Sequence, residues 1–273
     1  MPGIDWLHKR CAAVALVVFC ASAGAAPITR TGAGADAGAI QDLVDLFRSD
    51  LGEPNNGVTP GSQPEGRREI SWDGGGDAAP ATTFPIPMTT FAARGNVFTT
   101  PGTGFEISGQ PMPRFGDINP TYPGIFTTFS SPRLFAALGS NIVDVHFTEP
   151  GTTDIPARSR GFGAVFTDVD VDGASNLEFF SGSGASLGTY SAMPFSNGLS
   201  FVGVVFDNPI VARVRITSGN AALGPDDTPG TDVVALDDFI YAEPQAIPEP
   251  TTLLLMGGAL LALGAIGRRL RRA

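Results

Sequence analysis

The run DVDVDG is the most chemically suggestive stretch of this 273-residue chain, with Asp168, Asp170 and Asp172 alternating ahead of Gly173. Oxygen ligands at alternate positions, closed by a sharp glycine turn, open the acidic loops in which hard carboxylates converge on Ca²⁺. The loop pattern then breaks, because Glu178 comes one residue early and Phe179 stands where a bidentate carboxylate belongs. In an extended chain, carboxylates at i and i+2 sit roughly 6–7 Å apart, too far to share one ion. A turn at Asp172-Gly173 would gather two of them, with the third ligand from elsewhere; a solvated acidic hairpin tip is the alternative. Phe162, Ala164 and Phe166 share parity with Asp168. A straight strand would therefore drive these carboxylates into the core, so it must end or bulge near Thr167.

Asp237 and Asp238 are the other calcium candidates. Adjacent strand residues point to opposite faces, so one of the two points inward. It then needs a partner, either a cation or an arginine such as Arg213 or Arg215. Paired carboxylates for glycoside hydrolysis could come from Glu106, Glu149 and Glu178, which sequence cannot bring together or keep apart. Tyr122, Phe126, Phe129 and Tyr190 could stack on sugars or simply fill a core. His146 is the one histidine outside the N-terminal segment, and no serine stands in a G-x-S-x-G elbow, so no catalytic triad is expected. Cys11 and Cys20 both lie near the N-terminus, which leaves the body without a thiol or disulfide.

Between Ala26 and Ile247 there are 11 arginines, no lysine and 25 acidic residues, a net charge of −14. Such a body repels phosphate backbones, so nucleic-acid binding is not expected. Divalent cations and neutral polysaccharides are easier partners.

The elements that must position these groups are mostly strands. Residues 26–38 are Gly/Ala-rich and read as a mobile segment. Ile40, Leu43, Val44, Phe47 and Leu51 recur at helical spacing, with Asp42, Asp45, Arg48 and Asp50 opposite, so an amphipathic helix is expected over about 39–51. Glu53–Gly66 reads as a turn-rich linker. From Arg67 the pattern alternates, as in NIVDVHF, GFGAVFTDV, LSFVGVVF and VARVRIT, with short turns between and no long helix. These features predict an all-β fold over residues 67–245, an antiparallel jelly-roll-like β-sandwich with the short helix before it.

Both ends read as addresses. His8-Lys9-Arg10, the apolar run Ala12–Phe19 and the small residues Ala21–Ala26 have the order of a secretory signal peptide over residues 1–25. Ala23-Gly24-Ala25 places cleavage after Ala25, and such a signal implies the Sec export machinery. Pro248-Glu249-Pro250 opens the other end, followed by an apolar run over residues 251–267 and then Arg268, Arg269, Arg271 and Arg272. As a helix that run is about 25 Å long, slightly short of a ~30 Å hydrocarbon core, and its arginines would stay cytoplasmic.

Triplet, apolar run and arginine cluster, in this order over residues 246–273, resemble the PEP-CTERM sorting signal of bacterial exported proteins. That resemblance implies an exosortase-type processing enzyme as a partner, an inner-membrane anchor through the C-terminal helix before processing, and a final place at the cell surface or in the exopolysaccharide matrix. The stretches GRREISWDG, FSSPRLFAALGSN, GFGAVFTDVD, LSFVGVVFDN and VVALDDFIYAEPQ resemble a group of exported PEP-CTERM proteins over most of residues 40–245. This implies a shared fold and export route and carries no activity with it. The expectation is a non-catalytic adhesion or matrix protein that binds glycan weakly, with Ca²⁺ as a structural ion. A polysaccharide-active enzyme with two carboxylates, and a structural coat protein without ligand, are the alternatives.

Overall fold

The computed structural model describes residues 25–247. The expected signal peptide, the Pro248-Glu249-Pro250 triplet, the transmembrane helix expected over 251–267 and the arginine cluster lie outside the described residues, apart from Ala25 at the expected cleavage point. No helix among the described residues is long and apolar enough to cross a membrane.

The strands in chain order are β1 (Ile28–Gly34), β2 (Arg67–Ile70), β3 (Thr82–Phe84), β4 (Asn96–Thr99), β5 (Gly104–Ile107), β6 (Phe135–Leu138), β7 (Ile142–Phe147) and β8 (Ala157–Arg158). They continue as β9 (Gly161–Val169), β10 (Asn176–Ser181), β11 (Ser186–Ser191), β12 (Phe195–Val205), β13 (Val211–Thr217), β14 (Ala235–Ala242) and β15 (Gln245–Ala246). The large sheet runs β1-β12-β9-β14-β6-β5-β3, with β2 also paired to β14, and the small sheet runs β11-β10-β13-β7-β4. β15 pairs with β8 in a separate two-stranded ribbon. Strand pairs within both main sheets are antiparallel.

Alternation explains the layering. Phe162, Ala164 and Phe166 of β9, Val202 and Val204 of β12, and Phe239 and Tyr241 of β14 face Val143, Val145, Leu177, Phe179, Val214 and Ile216 of the small sheet in one core. Trp72 packs in that core, stacked on Phe135 at 4.0 Å between ring centroids. The opposite face of the large sheet is also covered. Helix α1 (Ala37–Leu51) lays Ile40, Val44, Phe47 and Leu51 on Val165, Leu199, Phe201, Val205 and Ile240. Its start is fixed by Asp36, whose side chain accepts from the Ala39 amide. Gly163 and Gly203 face each other across β9 and β12, and a Cβ on either would lie within 2.7 Å of the Phe47 ring. The glycine pair is therefore the slot that admits the helix. The 109–134 segment covers the rest of that face, seating Phe115, Tyr122, Phe126 and Leu134 on Ala136 and Ala235.

Two expectations about the N-terminal segment are corrected. Residues 28–34 are not a mobile lead-in but an edge strand, paired with β12 from Ile28↔Val205 to Gly34↔Leu199. The sheet thus begins at Ile28 rather than Arg67, because backbone pairing does not need the large alternating side chains that signal a strand. Nor is Glu53–Gly66 a free linker. It wraps a buried ion pair in which Arg68 Nε and Nη2 donate to Glu243 at 2.8 and 2.7 Å. The same guanidinium donates to the carbonyls of Gly57, Thr59 and Gly61, and Glu243 accepts from the Gln63 amide and the Asn56 side chain.

Removing one member of such a pair leaves the other charge buried and unpaired, a loss of about 3–5 kcal/mol. Arg68→Met is expected to destabilise by that amount in urea denaturation, and Arg68→Met with Glu243→Leu by clearly less. Equal losses in the single and double variants would remove the ion pair from this account.

Candidate functional site

Asp168 ends the regular part of β9 at a bulge. The register passes from Leu199↔Thr167 to Phe195↔Val169, so three residues of β12 lie opposite Asp168 alone. Its backbone is left-handed, with φ of 67°, as the parity of Phe162, Ala164 and Phe166 required of a carboxylate at that position. Asp168 is 1% exposed, Oδ1 accepts from the Asn197 amide at 2.6 Å, and Oδ2 is buried without a hydrogen-bond partner.

Beside it stand Asp170 and, from the loop between β13 and β14, Asp227. One carboxylate oxygen from each of Asp168, Asp170 and Asp227 lies within 4.8 Å of the others. Two oxygens bound to one Ca²⁺ at about 2.4 Å can be at most about 4.8 Å apart, a limit that each pair of these three meets. Asp232, fully buried, accepts from the amides of Asp170 and Val171, both at 3.2 Å, and so orients the turn that carries Asp170. The loop bearing Asp227 is tied down separately: Tyr122 Oη donates to the Pro225 carbonyl and accepts from the Gly224 amide, and Asn119 Nδ2 donates to Asp226.

The electrostatics of the cluster are one-sided. Burial pushes the Asp168 carboxyl up to about 7 against the Asn197 amide, and Asp170, Asp227 and Asp232 push it the same way. Burial and then Asp170 push Asp227 up to about 6, and burial raises Asp232.

The other expected ligands fall elsewhere. Asp172 is exposed in the same turn and stands outside the triad. Asp237 and Asp238 do not point to opposite faces, because the register shift between Leu236 and Phe239 sets both at a bulge. Both reach Ser130 Oγ, at 3.2 Å from Asp237 Oδ1 and 2.5 Å from Asp238 Oδ1, and the Phe129 amide donates to Asp237 Oδ2. Their cationic neighbour is Arg48, 3.9 Å from Asp238, whereas Arg213 and Arg215 both bind Asp144. Burial first, then Asp238, holds Asp237 well above the carboxylate range.

Glu106 and Glu178 lie on opposite outer faces of the sandwich. Phe105 and Ile107 flank Glu106 and face the core from the large sheet, while Leu177 and Phe179 do the same around Glu178 in the small one. Glu149 sits in the loop beside Gly61. The three are not brought together. Tyr122 and Phe126 are core residues, 0% and 1% exposed.

A groove with aromatic walls lies in a place the sequence did not mark. It holds about 320 Å³ and is lined by Trp72, Phe84, Phe91, Ser71, Thr90 and Arg94 among others. Phe84 and Phe91 are half-buried at the edge of the core. The Trp72 indole NH is committed to the Asp237 carbonyl, and its ring, 3% exposed and stacked on Phe135, belongs to the core. Arg94 donates through Nη1 to the Glu69 carbonyl. Alternation could have flagged Trp72, but Phe84 and Phe91 stand in short or irregular segments where no periodicity singles them out.

A family model described as the PEP-CTERM protein-sorting motif matches residues 246–272. No curated protein and no solved structure matches the chain. The fold runs up to the matched segment, since Ala246 pairs with Ala157 and its amide donates to Ser62 Oγ.

Glu106 provides a test of the buried carboxylates. Burial first, then the neighbouring Asp117, raises it from an ordinary 4.5 to about 7. The folded chain therefore keeps a proton that the unfolded chain has lost across this window. The contribution is fully present below about pH 4.5 and is lost as pH rises through 7. Glu106→Gln is expected to gain thermal stability relative to wild type at pH 8 and to gain little at pH 4.5. The same difference at both pH values would show that Glu106 does not titrate in this window.

Proposed function

We propose, from the premise that this chain is a PEP-CTERM domain-containing protein, exported and processed by an exosortase, that its body is a non-catalytic module retained at the cell surface or in the matrix. In this reading the body is a jelly-roll-type sandwich that attaches the protein to neutral polysaccharide. The observation that carries it is the groove lined by the half-buried rings of Phe84 and Phe91, about 320 Å³ in volume. Sugar rings present apolar C–H faces to aromatic rings, and their hydroxyls take donors and acceptors from a few convergent polar groups. Ser71, Thr90 and Arg94 supply such groups at this groove. A body of net charge −14 favours a neutral glycan over an acidic one. The export route supports the same reading, because it delivers the body to the compartment where such polymers are.

A catalytic role is disfavoured by the placement of the glutamates. An acid and a base flanking one glycosidic bond stand roughly 5–9.5 Å apart. Glu106 and Glu178 face away from each other across two packed sheets, whose planes alone are about 10 Å apart.

Affinity electrophoresis through gels containing neutral polysaccharides tests the proposal. Retardation of the wild type and its loss in Phe91→Ala are expected, with the variant keeping a cooperative thermal transition. Equal retardation of both proteins would move binding away from the groove. Free migration on every gel would leave a structural coat protein as the better reading.

A further inference from the structure

We propose that Asp168, Asp170 and Asp227 form a Ca²⁺ site that clips the loop between β13 and β14 to the bulged end of β9. This inference is independent of the glycan groove, which it neither uses nor requires.

Two observations point to a ligand rather than to a casual gathering of acids. The first is convergence, since one oxygen from each of the three side chains fits within the spread that a single calcium ion can span. The second is Asp168 itself. Its carboxylate faces the other two from a site 1% exposed, and Oδ2 has no hydrogen-bond partner. A buried carboxylate oxygen left unpaired is costly, and a cation is the partner that its two acidic neighbours also require.

The donor set selects the kind of cation. All three ligands are hard carboxylate oxygens, and among the described residues the only histidine is His146, on β7 of the small sheet, while cysteine is absent. Zinc and copper favour nitrogen or sulfur donors, whereas oxygen-only sets suit Ca²⁺ and Mg²⁺. Asp168 is fixed in the sheet, but Asp170 stands on an exposed turn and Asp227 on a loop. Ligands of such unequal rigidity suit the adaptable coordination of Ca²⁺ better than the strict octahedron of Mg²⁺. Asp232, bound to the amides of Asp170 and Val171, acts as a positioning residue.

The ligand set also departs from the linear motif. It keeps Asp168 and Asp170 of DVDVDG, discards Asp172 and takes its third member 57 positions further on, at Asp227. That difference makes the proposal testable by substitution.

Isothermal titration of CaCl₂ into the full chain, first stripped with EDTA, should give one site with a dissociation constant on the order of 10⁻⁴–10⁻³ M, as in extracellular calcium modules. Asp227→Asn, a change on a half-buried loop residue that leaves the sheet intact, should weaken binding at least about tenfold. Asp172→Asn should bind like wild type, and MgCl₂ should bind wild type at least about tenfold more weakly than CaCl₂. Calcium should also raise the thermal midpoint of wild type and of Asp172→Asn, and not that of Asp227→Asn. Absence of binding to folded wild-type protein at millimolar Ca²⁺ would overturn the site. Unchanged affinity in Asp227→Asn, or a loss in Asp172→Asn as large as in Asp227→Asn, would overturn the ligand set. Equal affinity for Mg²⁺ would overturn the assignment to calcium.

Discussion

Strand β14 is buried at every one of its eight positions, and much of the surrounding structure follows from that constraint. A strand covered on both faces cannot leave a polar side chain to water. Asp237 and Asp238 within it, and Glu243 just beyond its end, must each find partners inside the protein. The partners come from segments that would otherwise have little to hold them. Arg68 and the 53–66 loop close around Glu243, while Phe129 and Ser130 close on the aspartate pair. Buried polarity on one strand thus determines the course of two long loops.

Covering both faces of the large sheet has a second consequence. Half of its outer face is taken by α1, which docks only because Gly163 and Gly203 leave room for Phe47. The other half is taken by the 109–134 segment, whose Tyr122 and Asn119 then anchor the loop that carries Asp227. The acidic triad is therefore the outcome of a chain of packing decisions. Apolar cover of the sheet holds one loop, and that loop sets the third carboxylate beside the bulge of β9.

The acidic character of the body takes two physical forms. On the small sheet, Asp144 is neutralised by Arg213 and Arg215, and Arg213 also lies over the Phe180 ring at 3.7 Å. At the end of β9, burial and the acids around them raise the Asp168 carboxyl, beside Asp170, Asp227 and Asp232, the Asp227 carboxyl, beside Asp170 and Asp232, and the Asp232 carboxyl, beside Asp170. Net charge alone does not distinguish a paired carboxylate from a cation ligand. The distinction lies in which elements supply the neighbours.

Local, contiguous signals were readable from the chain by itself. The sorting motif is such a signal because it is linear, and the helix is another because Ile40, Val44, Phe47 and Leu51 repeat with the helical period. The strands of the core, and the break forced at Asp168 by the parity of Phe162, Ala164 and Phe166, follow from the two-residue period of a sheet. What required the tertiary structure was every contact between residues distant in sequence. β1 joins the sheet through backbone hydrogen bonds that its small residues do not advertise. Asp237 and Asp238 turn to the same hydroxyl because a bulge shifts their parity, and a bulge is set by the facing strand. Asp227 replaces Asp172 beside Asp168 because a loop is folded over from the far side of β13, and Phe84 meets Phe91 at the groove for the same kind of reason. Periodicity reports which face a residue takes within its own element. Which residues stand together across elements depends on pairing and packing, which no single segment encodes.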